Sequence, residues 1–248
     1  MAHGKRYRKQ LDKVQRDQAY PPVEAIALLK ETASAKFDET VELHVLLGVN
    51  VRHAEEQLRG TLALPHGLGK DVTVAVFAQG QQARDAEAAG ADFVGGDDLA
   101  KKVEEEGWTD FDVAISTPQM MGTVGKLGRV LGPQGKMPNP KVGTVTDDIE
   151  KAVSESKAGK VEYRTDRQAI VHMAIGKASL SSDQLLDNFS AVMEEIVRAK
   201  PSAAKGRYIV TCTLTTTMGP GIRVDASKVG DRDEVAAAPQ AAEEPVTA

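Results

Sequence analysis

The feature of this 248-residue chain that most constrains its fold is a hydrophobic pattern that changes twice along its length. Near both ends, in residues 41–47 and 169–175, apolar residues alternate with others, which is the period of strands with one buried face. Between about 68 and 159, compact apolar runs alternate with short helical segments, which is typical of a parallel sheet covered by helices. The pattern predicts an α/β protein. Its α+β first domain, 1–67 plus 160–228, is built from both termini, and a doubly wound parallel α/β second domain is inserted at 68–159.

Local patterns predict the elements of each domain. In the first domain we expect helices over 23–35 and 182–199, the latter capped near Ser181 or Ser182, strands at 41–47, 62–64 and 207–217, and a hairpin formed by 160–165 and 169–175. In the second we expect strands at 72–78, 91–94 and 111–116 and helices at 81–89, 97–106 and 147–156, the last capped by Thr146. The Gly- and Pro-rich stretch 121–143 is expected to lack regular structure, and the acidic tail from Val229 is expected to be disordered.

Composition excludes several classes of protein. With 41% hydrophobic residues the chain can form real cores, and Cys212, its one cysteine, has no partner for a disulfide. No apolar run approaches the roughly 20 residues of a membrane helix, and no secretory signal follows the basic start. We therefore expect a cytoplasmic protein that makes no use of a membrane.

The net charge of −5 conceals a strong segregation of charge. Residues 1–16 hold six basic groups and one acid, and residues 118–146 hold four basic groups and no acid: Lys126, Arg129, Lys136 and Lys141. A nucleic acid responds to such local fields, because screening confines charge effects to about 10 Å. The same segregation also fits an ordinary solvated surface, so charge alone does not decide between the two.

No motif of a catalytic, metal or cofactor site occurs. The chain lacks a Walker loop, GxGxxG, HExxH, paired CxxC and GxSxG, and its five histidines have no ligand spacing. His44 and His172 are interpreted as structural residues of strands. We expect no catalytic residue, no metal and no cofactor. Two rival hypotheses remain open: a nucleotide-binding α/β enzyme that uses the glycine-rich loop of residues 125–135, and a protein-binding scaffold.

Three segments carry chemistry that suits RNA. Freed backbone N–H groups and cations in 122–144 suit phosphates, although a rigid connecting loop is the competing interpretation. Alternate threonines from Thr211 to Thr217 can bond ribose 2′-OH groups, although they also favour a strand. Phe37 beside Lys36 suits base stacking next to a phosphate contact, although a place in the core is the usual interpretation of such a residue.

Several segments in their order resemble the bacterial-type large-subunit ribosomal protein L-one family. They are AKFDETVELH, RGTLALPHGLGK, AGADFVGG, FDVAISTPQMMGTVGKLGRVLGPQGKMPNPKVGTVT, KAGKVEYR, KPSAAKGRY and TTTMGPGIRVD, and together they span about residues 2–228. The chain departs from the usual pattern at Gln134, where arginine is common, and at Lys136, where an apolar residue is common.

The resemblance implies a non-enzymatic component of the large ribosomal subunit, monomeric within the ribosome. It implies binding to the side stalk of 23S ribosomal RNA, movement and release of exit-site tRNA, and repression of the chain's own operon mRNA. The implied RNA-facing residues are Lys36, Phe37, Thr40, Arg164, Arg167, Thr211, Thr213, Thr215, Thr217, Met218, Gly219 and Pro220. The basic residues 126, 129, 136 and 141 become a candidate tRNA or RNA surface. Gly67, Gly69 and Gly159 are the expected hinge of a mobile second domain.

Overall fold

The computed structural model describes residues 4–225 and divides the chain into two compact units. The first unit combines segments 1–50 and 167–248, and the second comprises residues 51–166. Parallel and antiparallel sheets alternate with helices, which confirms the α/β class. The acidic tail from Val229 lies outside the described residues. Among residues 4–225, none of the helices combines the length and apolar character needed to cross a bilayer.

The elements of residues 4–225 are numbered in chain order. The strands are β1 (Thr40–Leu47), β2 (Arg59–Ala63), β3 (Val74–Phe77), β4 (Phe93–Gly95), β5 (Val113–Ser116), β6 (Lys160–Arg164), β7 (Ile170–Lys177), β8 (Ile209–Thr216) and β9 (Ile222–Val224). The α-helices are α1 (Lys5–Leu11), α2 (Pro22–Thr32), α3 (Gln81–Ala88), α4 (Asp97–Glu106), α5 (Met121–Val124), α6 (Gly128–Leu131), α7 (Ile149–Lys157) and α8 (Ser182–Arg198). Short 3-10 turns occur at Ala54–Glu56, Pro118–Met120, Gly125–Leu127 and Pro140–Val142.

An antiparallel sheet in the order β7-β1-β8-β9 forms the centre of the first unit. Odd-numbered residues of β1 are buried, whereas the intervening residues lie half-buried on the outer face. Helices α2 and α8 contact the sheet and contribute buried side chains such as Leu29 and Phe189 to its core. Helix α8 begins at a capping box in which Ser181 Oγ accepts from the N–H of Gln184 and the Gln184 side chain accepts from the N–H of Ser181, which confirms the expected cap.

The second unit contains a parallel sheet in the order β4-β3-β5 with helices on both faces. Phe77 of β3 belongs to one buried cluster, together with residues of α4, α5 and α6. Val74 and Val76 belong to another cluster, together with residues of α3 and α7. Alternate residues of one strand thus enter two cores, as expected for a doubly wound layer.

The expected hairpin of 160–165 with 169–175 is wrong. Both segments form strands, but β6 pairs with β2 in a separate two-stranded sheet and β7 pairs with β1. The alternating pattern determines which face of a strand is buried, and it does not identify the partner strand. Sheet β2-β6 belongs to the second unit, whose limits at 50/51 and 166/167 differ from the domain boundaries expected at 67/68 and 159/160.

The expectation that 121–143 lacks regular structure is wrong for its first half. Residues 118–131 form consecutive short helical turns, and Met120, Val124, Leu127 and Leu131 are buried in one cluster. Their spacing of four, three and four residues is that of an amphipathic helix. A Cβ placed on Gly122, 125 or 128 would meet nothing within 4 Å, so no close contact requires glycine at these positions of the turns.

Two smaller differences concern the cap of one helix and the presence of another. The cap of α7 is Asp148, whose carboxylate accepts from the N–H of Lys151, and not Thr146, whose hydroxyl accepts from the N–H of Asp148. Helix α1 lies within the basic segment and was not predicted, because its residues show no apolar face and none of them is buried.

Candidate nucleic-acid interface

Two loops of the first unit, residues 33–39 before β1 and 217–221 after β8, are joined by one buried carboxylate. This carboxylate belongs to Glu39, a residue that is only 1% exposed to solvent. Its Oε1 accepts from the backbone N–H groups of Ser34 (2.9 Å) and Ala35 (2.7 Å), and its Oε2 accepts from the N–H of Met218 (2.9 Å). Glu39 therefore fixes both loops at once.

The charged form of Glu39 is favoured despite its burial. Burial by itself raises the pKa of a carboxyl group, but hydrogen bonds from the backbone of Ala35 and Met218, the Thr216 side chain and the backbone of Ser34 together outweigh it, so the pKa of Glu39 lies below its ordinary value of 4.5. Hydrogen bonds to an ionised acceptor are roughly twice as strong as neutral ones. The two loops are thus held by charge-assisted bonds at neutral pH.

The same two loops expose large apolar side chains. Phe37 is 55% exposed and Met218 is 52% exposed, and they are two of the four large hydrophobic residues that residues 4–225 expose. The loops adjoin, because the Thr40 N–H donates to Thr217 Oγ1 at 2.9 Å and the Thr217 N–H donates to the Thr40 carbonyl at 3.1 Å. We call the exposed residues Lys36, Phe37, Thr217 and Met218 the Phe37–Met218 surface.

Further contacts hold the first loop from its other side. The Asp38 carboxylate accepts from the N–H of Ser179 at 3.1 Å and from its hydroxyl at 2.7 Å. Lys177 Nζ donates to Thr40 Oγ1 at 2.8 Å. The backbone that carries Phe37 is therefore anchored on both sides of that residue, and Phe37 does not need to enter the core to be held in place.

The threonines of β8 alternate between the faces of the sheet as expected. Thr211, Thr213 and Thr215 lie on the outer face, while Thr216 is buried. In the second loop Gly219 is required by close packing, because a Cβ there would lie 2.3 Å from Thr216 Oγ1, and Pro220 is buried. Gly219 and Pro220 thus shape the turn, whereas Thr217 and Met218 present side chains to solvent.

Two histidines that the sequence separates by 128 positions meet on that outer face. His44 on β1 and His172 on β7 are directly opposed, with their Nδ1 atoms 2.8 Å apart. Burial and the neighbouring His172 lower the pKa of His44, and Glu42, whose Oε2 lies 3.6 Å from His44 Nε2, opposes that shift. The sequence alone does not reveal this pair, because only strand pairing brings the two residues together.

Arg164 and Arg167, the other two cations that are predicted to face RNA, belong to different units. Arg164 is exposed on β6 of the second unit, whereas Arg167 is exposed in the first unit. Their assignment to one hairpin fails together with the hairpin. Each remains a separate exposed cation.

The basic residues of the second unit differ in their surroundings. Lys126 and Arg129 are exposed on the turns between α5 and α6 and on α6. Lys136 is half-buried: its Nζ donates to the Thr109 carbonyl at 2.8 Å and lies 5.4 Å from the centre of the Phe111 ring. The side chain of Lys141 lies outside the described part of the chain. Of these four predicted residues, Lys126 and Arg129 have side chains that are described as exposed.

The expected hinge glycines all lie inside the second unit. Each has a positive φ, 62° at Gly67, 68° at Gly69 and 94° at Gly159. A Cβ on Gly159 would lie 2.7 Å from Gly67 Cα, so these two backbones are in direct contact. Close packing therefore explains Gly159, and a positive φ favours glycine at position 67. The role of the three glycines as a hinge stays a prediction.

A comparison with protein families agrees with these features. Residues 29–220 match the model of the ribosomal protein L1p/L10e family, a range that includes the first loop joined by Glu39, all but the last residue of the second loop, and most of both units. The match confirms the resemblance found in the sequence segments. The chain belongs to the ribosomal protein L1p/L10e family.

Proposed function

We propose that the first unit binds the side stalk of 23S ribosomal RNA through the Phe37–Met218 surface. The family gives the general role, that of a structural protein of the large ribosomal subunit in the cytoplasm that binds ribosomal RNA. The observation that carries the specific proposal is that two exposed apolar side chains sit on loops anchored by one buried, ionised carboxylate. Because the backbone of both loops is already fixed, it loses little conformational entropy when these side chains bind.

The chemistry of this surface suits an unpaired or distorted region of RNA. An exposed phenylalanine can stack on a splayed base, a contact worth about 1–3 kcal/mol. Lys36 is exposed next to Phe37 and can reach a phosphate, while the Thr217 hydroxyl can exchange hydrogen bonds with ribose 2′-OH groups. The outer-face threonines 211, 213 and 215 extend this hydroxyl-bearing surface along β8, and Thr40 and Gly219 position the loops. Arg164 and Arg167 would add phosphate contacts from their own units.

We extend the proposal to the two other RNA partners that the resemblance implies. The chain's own operon mRNA would occupy the same Phe37–Met218 surface, since a messenger that imitates the stalk must present the same groups. Exit-site tRNA would contact the second unit at Lys126 and Arg129, whose exposed cations lie in a segment without acids. Domain limits of 1–67 plus 160–228 and 68–159 remain our assignment for the functional domains.

The test compares two alanine variants, each of which removes an apolar side chain, and the two side chains are almost equally exposed. Met218→Ala removes an apolar side chain from the proposed surface, and Val197→Ala removes one that is 54% exposed on α8, away from the two loops. Affinity for a 23S stalk fragment and for a generic duplex is measured across a salt series. We expect Met218→Ala to weaken stalk binding by about 1–3 kcal/mol and Val197→Ala to leave it unchanged.

Other results would contradict the proposal in distinct ways. Equal effects of the two variants would remove the Phe37–Met218 surface as the site. Equal affinity of the wild type for both RNAs would remove stalk specificity. For the mRNA, competition between the leader and the stalk fragment is expected, with the same loss in Met218→Ala, and independent binding of the two RNAs would contradict a shared site.

A further inference from the structure

The His44–His172 pair lies on the outer face of the first unit's sheet and is not needed for the loops that carry Phe37 and Met218. His44 is half-buried, and His172 is exposed to solvent. The two rings meet edge to face with their centres 4.9 Å apart, and their Nδ1 atoms face each other at 2.8 Å. We propose that His44 and His172 bind a divalent transition-metal ion, with Zn²⁺ as the representative, through these two Nδ1 atoms.

The distance between the nitrogens is close to the distance that a metal requires. Zn²⁺ binds imidazole nitrogen at about 2.0–2.1 Å in tetrahedral geometry, which separates two ligand nitrogens by roughly 3.4 Å. The observed 2.8 Å therefore has to increase by only about half an ångström. Small rotations of the two rings achieve this, and the paired strands β1 and β7 hold both Cα atoms in register.

Glu42 prepares His44 for this role. Its Oε2 lies 3.6 Å from His44 Nε2, on the side of the ring away from His172. A carboxylate there favours the tautomer with its proton on Nε2, which leaves a lone pair on Nδ1. A carboxylate behind a ligating histidine is a recurrent arrangement around protein-bound zinc. The proton of the bond between the two rings would move through solvent from its Nδ1 to the Nε2 of the same ring, so that both Nδ1 atoms become acceptors.

The other neighbours on the outer face leave the metal accessible. Thr213 faces His44 from β8, and Arg223 faces Thr213 from β9, so Arg223 is a second charged residue on this face besides Glu42. Among residues 4–225, no set of three or more His, Cys, Asp or Glu side chains forms a metal site. The remaining positions on the metal would therefore be filled by water or by an external ligand.

The experiment measures Zn²⁺ binding by the full chain without RNA, using competition with a zinc indicator dye. All variants carry His3→Gln, which removes the histidine that lies outside the described residues. We expect one saturable Zn²⁺ per chain in this background. His172→Gln, at an exposed position, is expected to lower the affinity at least tenfold. His53→Gln, also at an exposed position but in the second unit, is expected to leave it unchanged.

Glu42→Gln provides the second variant, and a loss of about tenfold or more is expected if this carboxylate orients His44. Absence of saturable binding, or equal affinity in the His172→Gln and His53→Gln variants, would overturn the proposal. Circular dichroism of each variant shows that a loss of zinc is not a loss of fold. Because RNA is absent, the outcome is independent of the proposed RNA site.

Discussion

The Glu39 carboxylate accepts a hydrogen bond from the backbone N–H of Met218, 179 positions further along the chain, at 2.9 Å. It accepts from Ala35 at 2.7 Å as well, so a single side chain connects the segments before β1 and after β8. The carboxylate is buried, whereas Phe37 and Met218 are about half exposed. The order of the exposed surface therefore depends on a residue that RNA would not touch, and this separation of roles can be tested.

Replacement of Glu39 by glutamine is expected to weaken RNA binding through the loops. The amide group can accept at its one oxygen, but its NH₂ group faces a backbone donor where the second carboxylate oxygen was. A buried donor left without a partner costs about 1–3 kcal/mol. We expect the free energy of unfolding and the affinity for the stalk fragment both to fall. Glu42→Gln, on the outer face of the same strand, is the control for unfolding, and an equal loss there would contradict the special role of Glu39.

The Glu39 contribution is also expected to depend on pH. Because its pKa is lower in the folded chain than the ordinary 4.5, the folded state binds this proton less readily than the unfolded state does. The stabilisation is therefore fully present above the unfolded pKa and is lost as the pH falls through the lowered folded-state pKa. In urea unfolding, the difference between wild type and Glu39→Gln should stay constant from about pH 7 to 5 and shrink below that range. A difference that already shrinks above about pH 5 would contradict this assignment.

Local sequence patterns predicted much of the fold. The alternation in 41–47, the cap at Ser181 and the helix over 97–106 all agree with the structure, because each depends on neighbours within a few residues. Strand partners do not have this property. The segments 160–165 and 169–175 were predicted to pair with each other, whereas the structure pairs their strands β6 and β7 with β2 and β1.

The residues of the candidate site likewise divide into those that the local sequence identifies and those that only the fold brings together. Phe37, Met218 and the threonine row were identified from residue type and from the family resemblance. Glu39 and the His44–His172 pair were missed, because their partners lie 179 and 128 positions away. For residues 118–131 the information was local: buried positions at Met120, Val124, Leu127 and Leu131 have helical spacing. The glycines between these positions led instead to the prediction that the segment lacks regular structure.

Gly159 is expected to tolerate no side chain, because its positive φ of 94° coincides with a close contact. A Cβ would lie 2.7 Å from Gly67 Cα. Gly107 has a φ of 64° and open space around its Cβ position, so Gly107→Ala isolates the backbone strain from the clash. We expect a loss of about 1 kcal/mol for Gly107→Ala and about 2–4 kcal/mol for Gly159→Ala. Urea unfolding followed by the fluorescence of Trp108, the one tryptophan, reports on this unit, and equal losses would contradict the contact.

The basic residues of the second unit are expected to separate into binding and structural groups. Lys126→Gln and Arg129→Gln should each lower tRNA affinity and reduce the salt dependence by about one released counterion, because their exposed cations can reach phosphates. Lys136→Gln should leave tRNA affinity unchanged, since its Nζ is bonded to the Thr109 carbonyl and lies over Phe111.

The same Lys136→Gln variant should instead destabilise the second unit by about 1 kcal/mol, the net value of one hydrogen bond, as followed by Trp108 fluorescence. This position usually holds an apolar residue in the family that the sequence resembles, and here a half-buried lysine occupies it with its Nζ bonded to the Thr109 carbonyl and 5.4 Å from the centre of the Phe111 ring. Lys136→Met keeps the packing and removes only the hydrogen bond, so its loss should be smaller than that of Lys136→Gln. A tRNA affinity that falls equally in the Lys126, Arg129 and Lys136 variants would show that all three cations reach the RNA and would overturn the distinction.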